Sequence, residues 1–420
     1  MPVVKAERIA FVLAGGGARG AYEAGALSIL MPALERLGQR PSMFVGTSVG
    51  ALNAAYLAAS QHLSVAEATG GLLECWRAIG RTDVLFPLHR QLPLLAVRYL
   101  GEILSAPGVR FASLLDPKPF ERNVDRWIDL SSMHSNVTDG RVSVLAIVAT
   151  AARTGHTVGF VEGLPETSLH RSHVIDYIPA QITHAHLRAS AALPVLFPPV
   201  RVDAPDEARG WYVDGGTRLN TPIKPALDLG ADRVVVVGTD AVTNTSHEPG
   251  RHEGQQPDLV DGALHLLEGA LVDPLAEDIV VLGNVNLFYS DPAVAMAAAR
   301  YRHARGKPPY RQVPYIFVAP DHRGAMGELA LQTFHTRVKG RLDLRSLARR
   351  VLHQVLGGDS PAHGELLSYL LFDHEFLEEL IAQGRNDARR RLEQATDSGH
   401  PWQIGPLPEL TLNAPDNRER

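Results

Sequence analysis

The chain has 420 residues, 45% of them hydrophobic and 21% charged, with a formal net charge of -5. That balance gives no reason to expect nucleic acid binding, and the single cysteine, Cys75, excludes an intrachain disulfide. No run approaches the ~18 consecutive apolar residues of a membrane span. The length suits one large domain with an appendage, or two to three units of ~150 residues. Met1 to Ala10 carries Lys5, Glu7 and Arg8 with no signal-peptide apolar region, so the expected location is cytoplasmic.

Ile9 to Ala14 is an unbroken apolar run, predicting a buried first strand. It runs into Gly15-Gly16-Gly17-Ala18-Arg19-Gly20 and then a helix over Ala21 to Leu37. Pro41 to Val45 predicts a second strand, and Gly46-Thr47-Ser48-Val49-Gly50 follows it directly, ahead of an alanine-rich helix over Ala51 to Ser60. Strand, helix, strand, helix in this order predicts a mostly parallel sheet. From Leu72 to about Trp127 the pattern loosens, and Pro87, Pro93, Pro107 and Gly108 interrupt a leucine-rich stretch. Leu92 to Leu104 within it reads as a lipid-facing lid or as a helical layer packed on the sheet.

Further strands are expected at Arg141 to Ala149, Thr157 to Val161, Trp211 to Val213, Arg233 to Gly238 and Tyr315 to Ala319. A helix is expected over Ile182 to Ala192, a polar loop over Thr243 to Asp258, and a helix over Leu259 to Leu282. Helical patterns return at Leu329 to Leu356 and Gly364 to Gln394. The first carries Arg337, Lys339, Arg341, Arg345, Arg349 and Arg350, either a lipid-docking face or simply a solvated one. Residues 396–420 are polar and proline-rich, and are expected to be disordered or loosely docked.

Three motifs carry chemistry. Ser48 sits in Gly-X-Ser-X-Gly between a strand and a helix, the context of a strained turn that pushes a nucleophilic hydroxyl above a sheet edge. Gly15-x-Gly17-x-x-Gly20 fits a dinucleotide fingerprint by spacing, but the second strand ends in Val45-Gly46-Thr47-Ser48 rather than an acidic residue. No Lys-Ser or Lys-Thr pair follows the glycines, so a P-loop fails. An oxyanion hole remains: glycine-freed backbone N–H groups at a helix N-terminus, aimed at a developing alkoxide. Serine needs a base, and Asp214, ending an apolar strand ahead of Gly215-Gly216, would lie at the same sheet edge.

This set, with Ala189-Ser190 through Pro194, Phe197 and Pro198, and with Asn220-Thr221-Pro222, resembles the patatin-like phospholipase family. The resemblance covers Ile9 to Leu227 by motif. It implies a three-layer α/β fold with a mostly parallel central sheet between helices, spanning 9–227 with 228–330 as the rest of the same fold, whereas the chain after Ala319 falls outside the resemblance and is read from its own pattern as a helical C-terminal extension at 331–395 and the tail at 396–420. It further implies a serine lipid acyl hydrolase with Ser48 as nucleophile, Asp214 as general base and the amides of Gly15, Gly16 and Gly17 as oxyanion hole. Arg19 matches the loop's basic position, where it either holds the loop or meets a phosphate, or is a surface residue. The expected partner is a lipid ester, with peripheral contact to membrane or lipid aggregates, no nucleic acid, no cofactor and no calcium site. A Ser-His-Asp esterase using His247, His265 or His322 is the rival mechanism, and a catalytically silent lipid-binding protein the rival class. Cys75 beside Trp76 reads as a small core residue.

Overall fold

The computed structural model describes residues 7–79, 117–164, 174–194, 196–241, 275–306, 311–322, 324–338, 361–394 and 400–407. In chain order these form β1 (Ile9–Leu13), α1 (Gly20–Arg36), β2 (Met43–Thr47), α2 (Val49–Ala59) and α3 (Val65–Ala78). After them come α4 (Lys118–Trp127), α5 (Leu130–Thr138), β3 (Val144–Ala151), β4 (Thr157–Glu162), β5 (Ile175–Pro179) and α6 (His184–Ser190). Then follow β6 (Val200–Val202), β7 (Gly210–Asp214), α7 (Ile223–Asp228), β8 (Arg233–Val237), α8 (Leu275–Phe288) and α9 (Pro292–His303). The last elements are β9 (Tyr315–Val318), α10 (Ala325–Val338), α11 (Pro361–Leu370) and α12 (His374–Gln394).

One sheet organises them, in the order β5-β4-β3-β2-β1-β8-β9. Its centre, β3-β2-β1-β8-β9, is parallel throughout, as expected when helices cover both faces. Alternate residues of β1 separate the two cores. Ile9, Phe11 and Leu13 pack with α1, α2, α3 and α12, whereas Ala10 and Val12 pack with α7 and α8. That alternation is the period of a strand buried on both sides, and it builds the three-layer α/β fold.

β3 is longer than its neighbour, and the surplus matters. β2 pairs with it from Val144 to Val148, and β7 then occupies the same edge antiparallel, with Asp214 opposite Ala149. β4 keeps the other edge of β3.

Expectation and structure differ at several places. The helix expected from Gly364 to Gln394 is two, α11 and α12, because Asp373 accepts from the Glu375 amide at 3.2 Å and starts a new helix. β5 and β6 were not expected; β5 is an edge strand carrying Asp176 and Pro179, which break apolar alternation. In the helical C-terminal extension, α12 lies along α1, where Gly384 and Gly25 let the backbones touch, since a Cβ on Gly384 would fall 2.1 Å from Tyr22 O. The tail, expected to be disordered or loosely docked, is docked over 400–407. Gln403 pairs with Tyr315, Trp402 is buried and its indole N–H donates to Gln39 at 3.0 Å. Burial of the indole against the core holds this strap where composition alone indicated freedom. The lid stretch Leu92 to Leu104, the loop 243–258 and Lys339, Arg341, Arg345, Arg349 and Arg350 lie outside the described residues. Among the described residues no single helix is long and apolar enough to cross a membrane.

Candidate active site

The turn between β2 and α2 is sharp and strained. Ser48 has φ 54°, the only positive φ outside glycine among the described residues, and such backbone strain gathers at functional sites. The turn exists because Gly46 and Gly50 lack side chains. A Cβ on Gly46 would lie 2.3 Å from Gly50 O, and one on Gly50 would lie 2.3 Å from Leu13 O. Its backbone is also pinned: the Ser48 amide donates to Ser190 Oγ at 2.9 Å, and Ser190 Oγ donates to Val148 O at 2.6 Å. Ser190 therefore ties the elbow to β3.

Ser48 Oγ donates to Asp214 Oδ2 at 2.5 Å. Asp214 Oδ1 accepts from the Gly216 amide at 2.7 Å, which orients the carboxylate. Asp214 is buried at 2% exposure. Burial lifts its carboxyl from the ordinary 3.8 to about 7, against the opposing pull of the hydrogen bonds from Ser48 and the Gly216 amide. An aspartate with that affinity for a proton is a competent base near neutral pH.

The glycine loop faces this pair. A Cβ on Gly15 would lie 3.1 Å from Ser48 Cβ. Its amide, expected to point at an oxyanion, instead donates to Asn220 O at 3.1 Å. The loop must be anchored to the strand ends, and Gly15 is the residue that does it: its carbonyl also accepts from Thr239 Oγ1 at 2.9 Å. Among the described residues the amides of Gly16 and Gly17 have no acceptor, and both residues line the cavity in front of Ser48. Of the three glycine amides expected to form an oxyanion hole, these two are the ones left to meet an oxygen in front of Ser48.

Arg19 is not a surface residue. It is 1% exposed, and its guanidinium is bound by Asp240, Glu365 and Ser368, leaving it no face for a phosphate. Its guanidinium instead ties the glycine loop to Asp240, Glu365 and Ser368. Behind the loop, buried Glu23 accepts from Asn53 at 2.8 Å, and burial keeps its carboxyl well above the usual range. Asn53 in turn accepts from the Trp76 indole at 3.0 Å.

The cavity beyond Ser48 is apolar. Leu52, Tyr56, Leu72 and Trp76 wall it from α2 and α3, Phe120, Trp127 and Ile128 from α4 and its end, and Tyr369, Leu370 and Phe372 from α11 and its end. Cys75, expected in the core, also faces it, with its thiol pushed up to about 11 by burial. Among the described residues no histidine lines the cavity. His322 is bound to Glu328 at 3.5 Å on the surface, and His247 and His265 lie outside the described residues. Sequence reasoning missed Ser190 as a clamp and the aromatic wall from α11, because nothing local marks a residue whose partner is far along the chain.

The arrangement can deliver a hydroxyl, deprotonated by a buried carboxylate, to an electrophile held against two backbone amides, with an apolar chain lying in the cavity. A model of the patatin-like phospholipase family matches residues 11–227. Among solved structures, the chain is similar to VipD from Legionella pneumophila at 12% identity, covering 90% of this chain and 66% of that one, with a TM-score of 0.31. It is also similar to the ExoU-SpcU complex of Pseudomonas aeruginosa, from its type III secretion system, at 18% identity, covering 93% and 77%, with a TM-score of 0.23. No curated protein matches the chain.

Proposed function

Because this chain belongs to the patatin-like phospholipase family, a family of lipid hydrolases, we propose that it cleaves carboxylic esters of lipids through a Ser48–Asp214 dyad. The observation that carries this reading is the 2.5 Å hydrogen bond from Ser48 Oγ to a buried Asp214, at the mouth of an apolar cavity.

Asp214 takes the Ser48 proton as Oγ attacks the ester carbonyl. The carbonyl carbon becomes tetrahedral, and its oxygen receives hydrogen bonds from the amides of Gly16 and Gly17. Each such donor is worth ~2.7 to 4 kcal/mol of barrier. Collapse expels the alcohol or lysolipid, which takes the proton from Asp214, and leaves an acyl ester on Ser48. Water then attacks that ester, giving a proton to Asp214, and the tetrahedral adduct collapses with cleavage of the bond to Ser48 Oγ, which takes the proton back from Asp214 as the free acid leaves. The acyl chain occupies the cavity between α2, α3 and α11, which has the apolar lining a hydrocarbon needs and too few polar groups to hold a headgroup. We place the reaction at the cytoplasmic face of lipid aggregates or membranes, as a peripheral encounter.

The test is intact-mass labelling with an alkyl fluorophosphonate. A single adduct on Ser48, absent in Ser48→Ala and slow to form in Asp214→Asn, supports the dyad. A folded wild type that neither forms the adduct nor hydrolyses fatty esters removes it and favours a silent lipid-binding protein.

A further inference from the structure

We infer that Glu365 is a positioning residue of the catalytic centre, acting with Ser368 and Asp240 through Arg19 to fix the loop whose amides face Ser48. The inference rests on the hydrolase reading above. It extends the working site to α11, far beyond residue 227, where the family match ends.

Arg19 closes a short 3-10 turn over Gly17–Arg19, and its amide donates to Gly16 O at 3.0 Å. Any displacement of Arg19 is therefore a displacement of Gly16 and Gly17. All three guanidinium nitrogens are engaged. Nε donates to Ser368 Oγ at 2.8 Å, Nη1 to Asp240 Oδ1 at 2.9 Å, and Nη2 to the Glu365 carboxylate and, at 3.3 Å, to its carbonyl. The guanidinium also stands 4.1 Å over the Tyr369 ring, an arrangement a lysine cannot reproduce.

The same helix backs the loop from the other side. Gly17 has φ 57°, and a Cβ there would lie 2.3 Å from Tyr369 O. The loop is thus gripped by α11 twice, through charge at Arg19 and through backbone contact at Gly17. A buried cation must be neutralised where it sits, and Asp240 at the end of β8 with Glu365 on α11 supplies two carboxylates to do so. Together they fix one position of the loop relative to both the sheet and the C-terminal helices. The Ser48–Asp214 pair is built elsewhere, on β2, β3 and β7, so loosening the loop leaves nucleophile and base intact while misaligning the amides.

The experiment measures kcat, KM and melting temperature for wild type, Glu365→Gln, Glu365→Asp and Ser368→Ala on a p-nitrophenyl fatty ester. Glu365→Gln lowers kcat about 10- to 100-fold, as a small misplacement of transition-state groups does, with KM within about twofold of wild type. Glu365→Asp, which keeps the charge, recovers part of that loss, and the pH midpoint set by Asp214 does not move. Folded Glu365→Gln with wild-type kcat overturns the inference, as does a loss shared equally by kcat and KM. If Glu365→Gln does not fold, Ser368→Ala decides: reduced kcat at constant KM supports the inference, and wild-type kcat overturns it. A wild type that neither hydrolyses the ester nor labels at Ser48 strikes the hydrolase reading instead, which separates the two failures.

Discussion

Asp214 continues on the edge of β3 the row that Thr47 ends: Thr47 pairs with Val148, and Asp214 pairs with Ala149, the next position along. Ser48 follows Thr47, so the Ser48 and Asp214 side chains meet because one strand's pairing is handed from β2 to β7. The distance between them is fixed by a backbone ladder, which is stiffer than any loop.

The first prediction concerns pH. Asp214 works as a base only when ionised, and its carboxyl is raised to about 7, so kcat/KM for a fatty ester rises with pH through about 7 and then levels. Stability runs the other way. A carboxyl raised in the fold binds its proton more tightly there than in the unfolded chain. Its contribution is full below the unfolded value near 3.8 and is lost as pH rises toward about 7. The difference corresponds to up to about 4 kcal/mol. Urea unfolding at pH 5 and pH 8 should show wild type losing stability across that window and Asp214→Asn losing markedly less.

Ser190 is buried and bridges the Ser48 amide to Val148 O. Ser190→Ala leaves both groups without a partner, at a cost of about 1 to 3 kcal/mol by chemical denaturation. It also frees the elbow, so kcat falls while the Ser48 fluorophosphonate adduct still forms, more slowly than in wild type.

Cys75 lines the cavity with a thiol raised to about 11 by burial. At pH 8 almost none of it is thiolate, so maleimide modifies it far more slowly than a free thiol of pKa about 8.5. A bulky replacement, Cys75→Phe, narrows the cavity. Relative kcat/KM for p-nitrophenyl esters should then shift from long acyl chains toward short ones, with butyrate the least affected. An unchanged chain-length profile would move the acyl chain out of this cavity.

The strap over 400–407 is held by Trp402, which packs in the core and stacks beneath the Arg233 guanidinium at 4.9 Å. Trp402→Ala should cost about 3 to 5 kcal/mol, visible as a lower denaturant midpoint. The strap lies by Tyr315 on β9, away from Ser48, so the KM of the surviving folded protein stays unchanged.

What the sequence revealed followed the range of its signals. β1, β2 and β8 are runs of apolar residues with both faces buried, and Gly46, Ser48 and Gly50 announce their turn by local sterics alone, so all were legible. Asp214 was legible because an apolar strand ending in Asp-Gly-Gly is a local pattern. Arg19 was not: its burial depends on Asp240 and Glu365, separated from it by 221 and 346 positions, and no window around Arg19 contains that information. The Gly15 amide was misread for the same reason, since its acceptor is Asn220 O. β5 escaped because an edge strand with half-exposed positions has no continuous apolar run. Whether 400–407 docks stays open in the sequence, because one tryptophan among prolines and polar residues does not show where it is buried.

The separation between Arg19 and Glu365 also has a meaning in time. A ribosome adds roughly 5 to 20 residues per second, so the 346 positions between them take roughly 20 to 70 seconds to make. Ser48, Asp214 and the glycine loop all emerge well before the helix that locks them. Throughout that interval the nascent chain carries Ser48, Asp214 and the glycine loop without the contacts that Glu365 and Tyr369 make to that loop, so the first turn of the fold takes its final position only when the last helices close on it.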